Sequence, residues 1–220
     1  MKSNRQSTTI MAAADAAETD FELAQRVLAG AEYVYAELID RHKHNAMTLA
    51  LRLLQNNEDA EEAVQDAFVR VFRGLENFAW KSSFATWLYR IVYNVCTTRL
   101  MRRSDVKPVS LDKESDAAQS LAGKLPSEDS PQTQLLASEV MMSVQDEIAR
   151  LPKIYSVVAT LFFLQEQSYD EIASIVNLPL GTVKAQLFRA RTLLQEALTR
   201  RHGERLIASS TTDTAKEKSK

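Results

Sequence analysis

The sequence predicts an all-α protein: two small helical domains, one of four helices and one carrying a helix-turn-helix, joined by a flexible acidic linker. Three observations predict it. Only five Gly and five Pro occur in 220 residues, so tight turns are scarce. Apolar residues recur at helical spacing, with no useful strand alternation and no internal repeat. Composition breaks over residues 104–131, "SDVKPVSLDKESDAAQSLAGKLPSEDSP", where Pro, Ser and Asp gather and periodicity fades.

The totals exclude several function classes. Hydrophobic residues make up 45% and charged residues 25%, an ordinary soluble composition, and the formal charge of −2 attracts no polyanion in bulk. Cys96 is the single cysteine, so no internal disulfide and no Cys-rich zinc site can form. It reads as a small buried apolar residue rather than a redox switch. His42 and His44 are two apart on a helix and point in different directions, so no metal is expected. There is no Gly-rich phosphate loop and no convincing Cys/His pair. The chain is therefore read as no enzyme, with no catalytic residue, cofactor or small-molecule substrate. Asp15 and Glu18 interrupt the N-terminal stretch, which lacks the apolar core of a signal peptide. No apolar run reaches the roughly 18 residues of a membrane span. A cytoplasmic protein with a disordered arm over 1–19 is expected.

The first domain, 20–104, takes four helices. Asp20 caps "FELAQRVLA", which stops at Gly30. A long helix follows to about Leu54, and Asn56 and Asn57 break it. The third helix runs from about Glu58 to Gly74. Val64, Ala67, Phe68, Val71, Phe72 and Leu75 share one face, with Asp59, Glu62 and Asp66 opposite and Gln65 on the shoulder. That acidic face is either simply solvated or docks onto a large basic partner. The fourth helix runs from Ser83 to about Arg103. Phe84, Leu88, Ile91 and Val95 form its buried stripe. Thr86, Tyr89, Arg90, Tyr93 and Thr97 lie opposite, with Trp87 and Asn94 at the edges. Aromatics interleaved with Arg, Asn and Thr suit a surface on which unpaired bases stack and hydrogen-bond. The alternative is a core shared between helices. Just before lies an aromatic and polar loop, Phe78, Ala79, Trp80, Lys81, Ser82 and Ser83, of a kind that holds an extruded base. Arg99, Arg102 and Arg103 bring positive charge for phosphates.

The linker, 105–131, carries six acids (Asp105, Asp112, Glu114, Asp116, Glu128 and Asp129) against Lys107, Lys113 and Lys124. By itself it reads as a passive tether. The second domain, 132–202, also takes four helices, with breaks near Leu151 and Pro152, from Gln165 to Gln167, and from Asn177 to Pro179. A polar tail, 203–220, reads as disordered.

The last two helices of the second domain form a short helix, a tight turn and a longer helix. Ser168 and Glu171 fit a capping box, Asn177, Leu178 and Pro179 stop the first helix, and Gly181 and Thr182 open the next. Val183, Leu187, Ala190, Leu194 and Ala197 make one stripe; Lys184, Ala185, Phe188, Arg189 and Thr192 fall on the other side. A cation, an aromatic and an arginine near a helix N-terminus match the end of a recognition helix that enters the major groove. Arg189 suits a guanine edge, Phe188 a thymine methyl or the sugar backbone, and Lys184 a phosphate or a base. Residues 181–201 hold five Lys or Arg against Glu196. The alternative is a helical hairpin with Phe188 packed on a neighbour.

Together "DAEEAVQDAFVRVF", "FATWLYRIVYN" and "SYDEIASIVNLPLGTVKAQLFRAR" resemble the extracytoplasmic-function, or group IV, branch of the sigma-70 family, in order and spacing, over about residues 21–201. The resemblance implies a sigma-2-like and a sigma-4-like domain that bind core RNA polymerase and direct it to promoter DNA. It places Asp59, Glu62, Gln65 and Asp66 against the β′ clamp helices, with the β subunit a further partner. It assigns −10 recognition and melting to Phe78, Trp80, Lys81, Ser83, Trp87, Tyr89, Arg90, Tyr93, Asn94 and Arg99. It assigns −35 reading to Thr182, Lys184, Phe188, Arg189 and Arg191. The linker would thread polymerase channels built for nucleic acid. An anti-sigma protein is the implied regulator. Gln186 stands where a basic residue is frequent, and "WKSS" replaces a more usual Arg-Gly-Asp-like run. The runner-up is a two-domain regulator acting on duplex DNA without a polymerase-specificity role; a purely protein-binding adaptor is a third.

Overall fold

The computed structural model describes residues 18–103 and 142–217, and within them every regular element is helical. Of the arm expected over 1–19, residues 1–17 lie outside the described residues, as does the linker expected over 105–131; Glu18 and Thr19 are described and hydrogen-bonded to α1. The first block has α1 (Asp20–Leu28), α2 (Tyr35–Leu54), α3 (Asn57–Gly74) and α4 (Phe84–Arg103), with short 3-10 turns at Glu32–Val34 and Leu75–Asn77. The second has α5 (142–150), α6 (Lys153–Ala159), a π turn (Thr160–Leu164), α7 (Tyr169–Val176) and α8 (Leu180–Glu217).

Local signals set the boundaries. Thr19, one residue before the expected Asp20, caps α1 in a reciprocal box with Glu22. Asp20 ties α1 to α2 instead: its carboxylate lies 2.8 Å from His42 Nε2 and 3.4 Å from Arg41 Nη1. The His42 hydrogen bond, ahead of the opposing effect of burial, holds that carboxyl below its ordinary range. Gln55 closes α2 in the left-handed region at φ 54°, and Asn56 caps α3 by accepting from the Asp59 amide at 3.0 Å. The backbone of α8 is helical as far as Glu217, past Gly203, where the sequence suggests a tail. No proline follows Gly203, and one glycine costs a helix only about 1 kcal/mol.

Leu23, Leu38, Leu49, Leu53, Phe68, Leu88 and Val92 are among the buried residues at the centre of the first block. Each fully buried side chain of this kind is worth about 1.5–3 kcal/mol. The Tyr35 hydroxyl donates to the Phe68 carbonyl at 2.7 Å, so a buried phenol joins α2 to α3. This core is continuous with Val157, Val158, Leu161, Ile172, Ile175, Val176, Val183 and Leu187 of the second block. Ile148, Ala159, Ala190 and Leu194 form a smaller cluster within that block.

The shared core corrects the reading of α4. Thr86 and Tyr89, expected opposite the buried stripe, are 3% and 2% exposed, while Ile91 is only half-buried. The reason is that α4 packs against α2 and α3 on one side and receives α7 on the other. A helix with two covered sides shows no single apolar stripe. Cys96 is fully buried, and burial pushes its thiol up to about 12, which fits an inert packing residue.

Candidate nucleic-acid and protein interfaces

The helix-turn-helix forms as the sequence dictates. The Ser168 hydroxyl accepts from the Glu171 amide at 3.3 Å, and the Glu171 carboxylate accepts from the Ser168 amide at 2.9 Å. Asn177 ends α7 at φ 54°, its amide donating to the Ala173 carbonyl. On α8, Val183, Leu187, Ala190 and Leu194 are buried, whereas Lys184, Ala185, Phe188 and Arg189 are exposed. Phe188 is 49% exposed, so it does not pack as the hairpin alternative requires. Thr182 is half-buried beside this face.

Two neighbours depart from it. Gln186 is buried, so its side chain faces the interior rather than the exposed side of α8. Arg191 turns away from the exposed face. Its guanidinium sits 5.0 Å from the Phe162 ring centroid and donates to the Tyr169 hydroxyl at 3.3 Å. That cation–π contact, worth about 0.5–1 kcal/mol when exposed, ties α8 to the π turn.

The loop over 78–83 is built on rings. Phe78 stacks on Trp87 with centroids 4.3 Å apart and planes 6° from parallel. Trp80 lies 4.6 Å from Phe78 and meets Phe21 of α1 edge-on at 4.8 Å. Trp80 holds φ 54°, a left-handed conformation uncommon for a bulky residue and sustained here by rings on both sides. Gly74 makes room for Trp87: a Cβ there would stand 3.3 Å from Trp87 Cζ2. Lys81, Ser83, Arg90 and Asn94 are exposed around this cluster, Tyr93 is half-buried, and Tyr89 is buried away from it.

Phe21 was not legible as part of the loop, because only an exposed aromatic on α1 hinted at it. Phe21→Ala should remove an edge-to-face pair worth about 0.5–1.5 kcal/mol. The expected result is a matching loss of stability and altered tryptophan emission. Unchanged emission would show that Phe21 does not hold Trp80.

The acidic side of α3 is already paired. Asp59 takes two hydrogen bonds from Arg103, Glu62 accepts from Arg99 at 2.5 Å, and Asp66 accepts from Arg70 at 3.0 Å. The Arg103 hydrogen bonds hold the Asp59 carboxyl below its ordinary range. Arg99, expected on phosphates, is thus engaged with α3. Pairs that reach the surface in this way contribute little to stability, so these carboxylates can exchange partners. Gln65 is exposed on the rim of an apolar groove of about 770 Å³ between α2 and α3, floored by Tyr35, Ile39, Met47, Val64, Phe68 and Phe72.

No group of three or more metal-ligating side chains exists among the described residues, and none of their helices is long and apolar enough to cross a membrane.

Comparison with known proteins bears on both blocks. The family model for sigma-70 region 2 matches residues 38–106, and that for sigma-70 region 4 matches 141–194. The chain is 32% identical over 183 residues to the RNA polymerase sigma-H factor of Pseudomonas aeruginosa, covering 82% of this chain and 94% of that one. It is 34% identical over 175 residues to the ECF RNA polymerase sigma-E factor of Escherichia coli K12, covering 79% and 91%. Its fold matches CnrH, solved with the cytosolic domain of CnrY, at a TM-score of 0.53 and 21% identity, over 83% of this chain and 99% of that one. It also matches RpoE of Bartonella quintana, solved with the anti-sigma factor NepR, at 0.52 and 22%, over 75% and 96%. With both regions matched in order, and relatives above 30% identity across four-fifths of its length, the chain belongs to the extracytoplasmic-function branch of the sigma-70 family and is an RNA polymerase sigma factor.

Proposed function

We propose that this sigma factor divides promoter recognition between its two blocks. Thr182, Lys184, Phe188 and Arg189 meet the −35 element as duplex. The 78–83 loop, with Phe78, Trp80, Lys81, Ser83 and Trp87, traps a base unstacked from the −10 element, and Arg90, Tyr93 and Asn94 extend that surface. Asp59, Glu62, Gln65 and Asp66 meet the β′ clamp helices, with the apolar groove beside Gln65 adding contact area. The chain contributes binding energy and makes or breaks no covalent bond; synthesis belongs to the polymerase. It acts where polymerase and chromosome are, in the cytoplasm. An anti-sigma protein covering these surfaces is its proposed regulator.

The observation that carries this reading is the pairing, on one chain, of an outward Lys184–Phe188–Arg189 face with a ring-built loop. A duplex-only regulator has no use for the second. Run-off transcription with core polymerase tests it. Initiation at discrete sites, with thymines near −10 becoming reactive to permanganate, is the expected result. Binding to duplex without any transcript would return the regulator reading. Trp80→Ala should lower thymine reactivity more than it lowers duplex binding.

A further inference from the structure

The ring cluster of the 78–83 loop closes on itself through α1. Trp87 stacks on Phe78 at 4.3 Å, Phe78 lies 4.6 Å from Trp80, and Trp80 meets Phe21 edge-on at 4.8 Å. In the other direction from Trp87, the buried Phe84 ring is 6.0 Å away and His42 lies 5.1 Å from Phe84. His42 Nε2 is in turn 2.8 Å from the Asp20 carboxylate. Asp20 and Phe21 are neighbours in sequence. These side chains therefore form one circuit, and the first turn of α1 is the link that closes it.

That turn is fastened from several directions. The Arg41 guanidinium donates to the Glu18 carbonyl at 2.5 Å, and the Thr19 amide donates to the Glu22 carboxylate at 2.7 Å. Buried Leu23, Ala24 and Val27 attach α1 to the core. Phe21 stands to one side of their stripe and is 49% exposed, so its ring adds little to the core and reaches the loop instead. Trp80 needs such a partner. Its φ of 54° is a conformation that a bulky residue holds only where its surroundings over-determine it. Phe78 and Phe21 are the rings that meet its indole, and α1 also touches the Leu75–Asn77 turn that leads into the loop.

We infer that the first turn of α1 is a wall of the base trap: Phe21 is a positioning residue that fixes the Trp80 indole for stacking on an unpaired −10 base, and Asp20, through His42, anchors Phe21. The inference rests on the base-trapping role proposed for the 78–83 loop. Without Phe21 the indole loses one of its two ring neighbours, and Trp80 relaxes from its left-handed backbone. The stacking platform is then no longer preset, and the cost of ordering it falls on base capture. Lys184, Phe188 and Arg189 lie on the other block, so duplex reading is spared.

Holoenzyme assembled from core polymerase and the full chain tests this at a promoter where the wild type initiates. Permanganate reactivity of the −10 thymines reads base capture, anisotropy on a −35 duplex reads the other block, and a thermal melt of the chain reads the fold. Phe21→Ala should cut thymine reactivity about two- to tenfold, the factor carried by one edge-to-face pair, and leave −35 affinity unchanged. Phe21→Tyr keeps the ring and should restore reactivity. Asp20→Ala leaves the Thr19 cap in place and should cut reactivity in the same direction, which guards against a Phe21→Ala chain that fails to fold. Because Phe21 acts through Trp80, Phe21→Ala should add nothing to Trp80→Ala in the double variant. A purely stabilising role predicts reactivity and −35 affinity falling together with the folded fraction, and that result overturns the inference. So do additive losses in the double variant or a failed rescue by Phe21→Tyr. Trp80→Ala separates the two levels. Undiminished reactivity in that variant sinks the base-trap reading and the inference with it; a loss there, with none in Phe21→Ala or in Asp20→Ala, sinks the inference alone.

Discussion

Arg189→Ala is expected to cost the holoenzyme about 1–3 kcal/mol of promoter affinity, roughly tenfold to more than a hundredfold, and only on promoters carrying the base it reads. Arg189 is exposed on α8 between buried Leu187 and Ala190, and forms no ion pair among the described residues. Its removal therefore breaks nothing in the free protein. Alanine is the better helix former, and an exposed substitution of this kind moves stability by no more than about 0.5 kcal/mol. Affinity and stability thus separate. Fluorescence anisotropy on matched and single-base-changed −35 duplexes, alongside a thermal melt, measures both. An equal loss on every sequence, with a shallower salt dependence, would mark a phosphate contact instead. No loss on any sequence would remove Arg189 from the interface.

Leu187→Ala, two residues earlier on the same helix, should fail in the opposite manner. Leu187 is 1% exposed in the core shared by α7, α8 and the first block. Truncating it forfeits the transfer energy of three carbons and leaves a cavity, together about 2–5 kcal/mol. Against a domain stability of about 5–15 kcal/mol, that is a large fraction of the total. The expected result is a lower denaturation midpoint and weakened binding on all sequences alike, recovered by an excluded osmolyte that favours burial. An unchanged midpoint would mean that the exposed side of α8 is presented without support from this side chain.

What the sequence announced was local, and what it concealed was tertiary. The Ser168–Glu171 box, the left-handed Asn177 and the Asn56 cap are written in neighbouring residues, so the turn between α7 and α8 and the break between α2 and α3 could be placed closely. The exposed Lys184, Phe188 and Arg189 follow from helical periodicity alone. Periodicity assumes one buried side per helix, and α4 has two. Tyr89 was therefore assigned to a base-stacking surface when α4 keeps it inside. Arg191 and Arg99 went astray for a related reason. Arg191 was assigned to −35 reading and Arg99 to the phosphates, but Phe162 and Tyr169 hold the first and Glu62 the second, across separations of 22 to 37 residues that no local pattern reveals. Phe21 reaches Trp80 over a still longer stretch of chain.

Gly74 has an implication for how this family member can diversify. It ends the helix that carries the acidic pairs, yet the space above its Cα belongs to Trp87, and Trp87 lies flat against Phe78. A methyl group at position 74 would press on the indole, and the displacement would pass through one ring to the next until it reached the loop. Homologues that lengthen residue 74 should accordingly have shrunk the ring at 87, the two positions drifting as a correlated pair although residue 74 itself touches no nucleotide in the proposed complex.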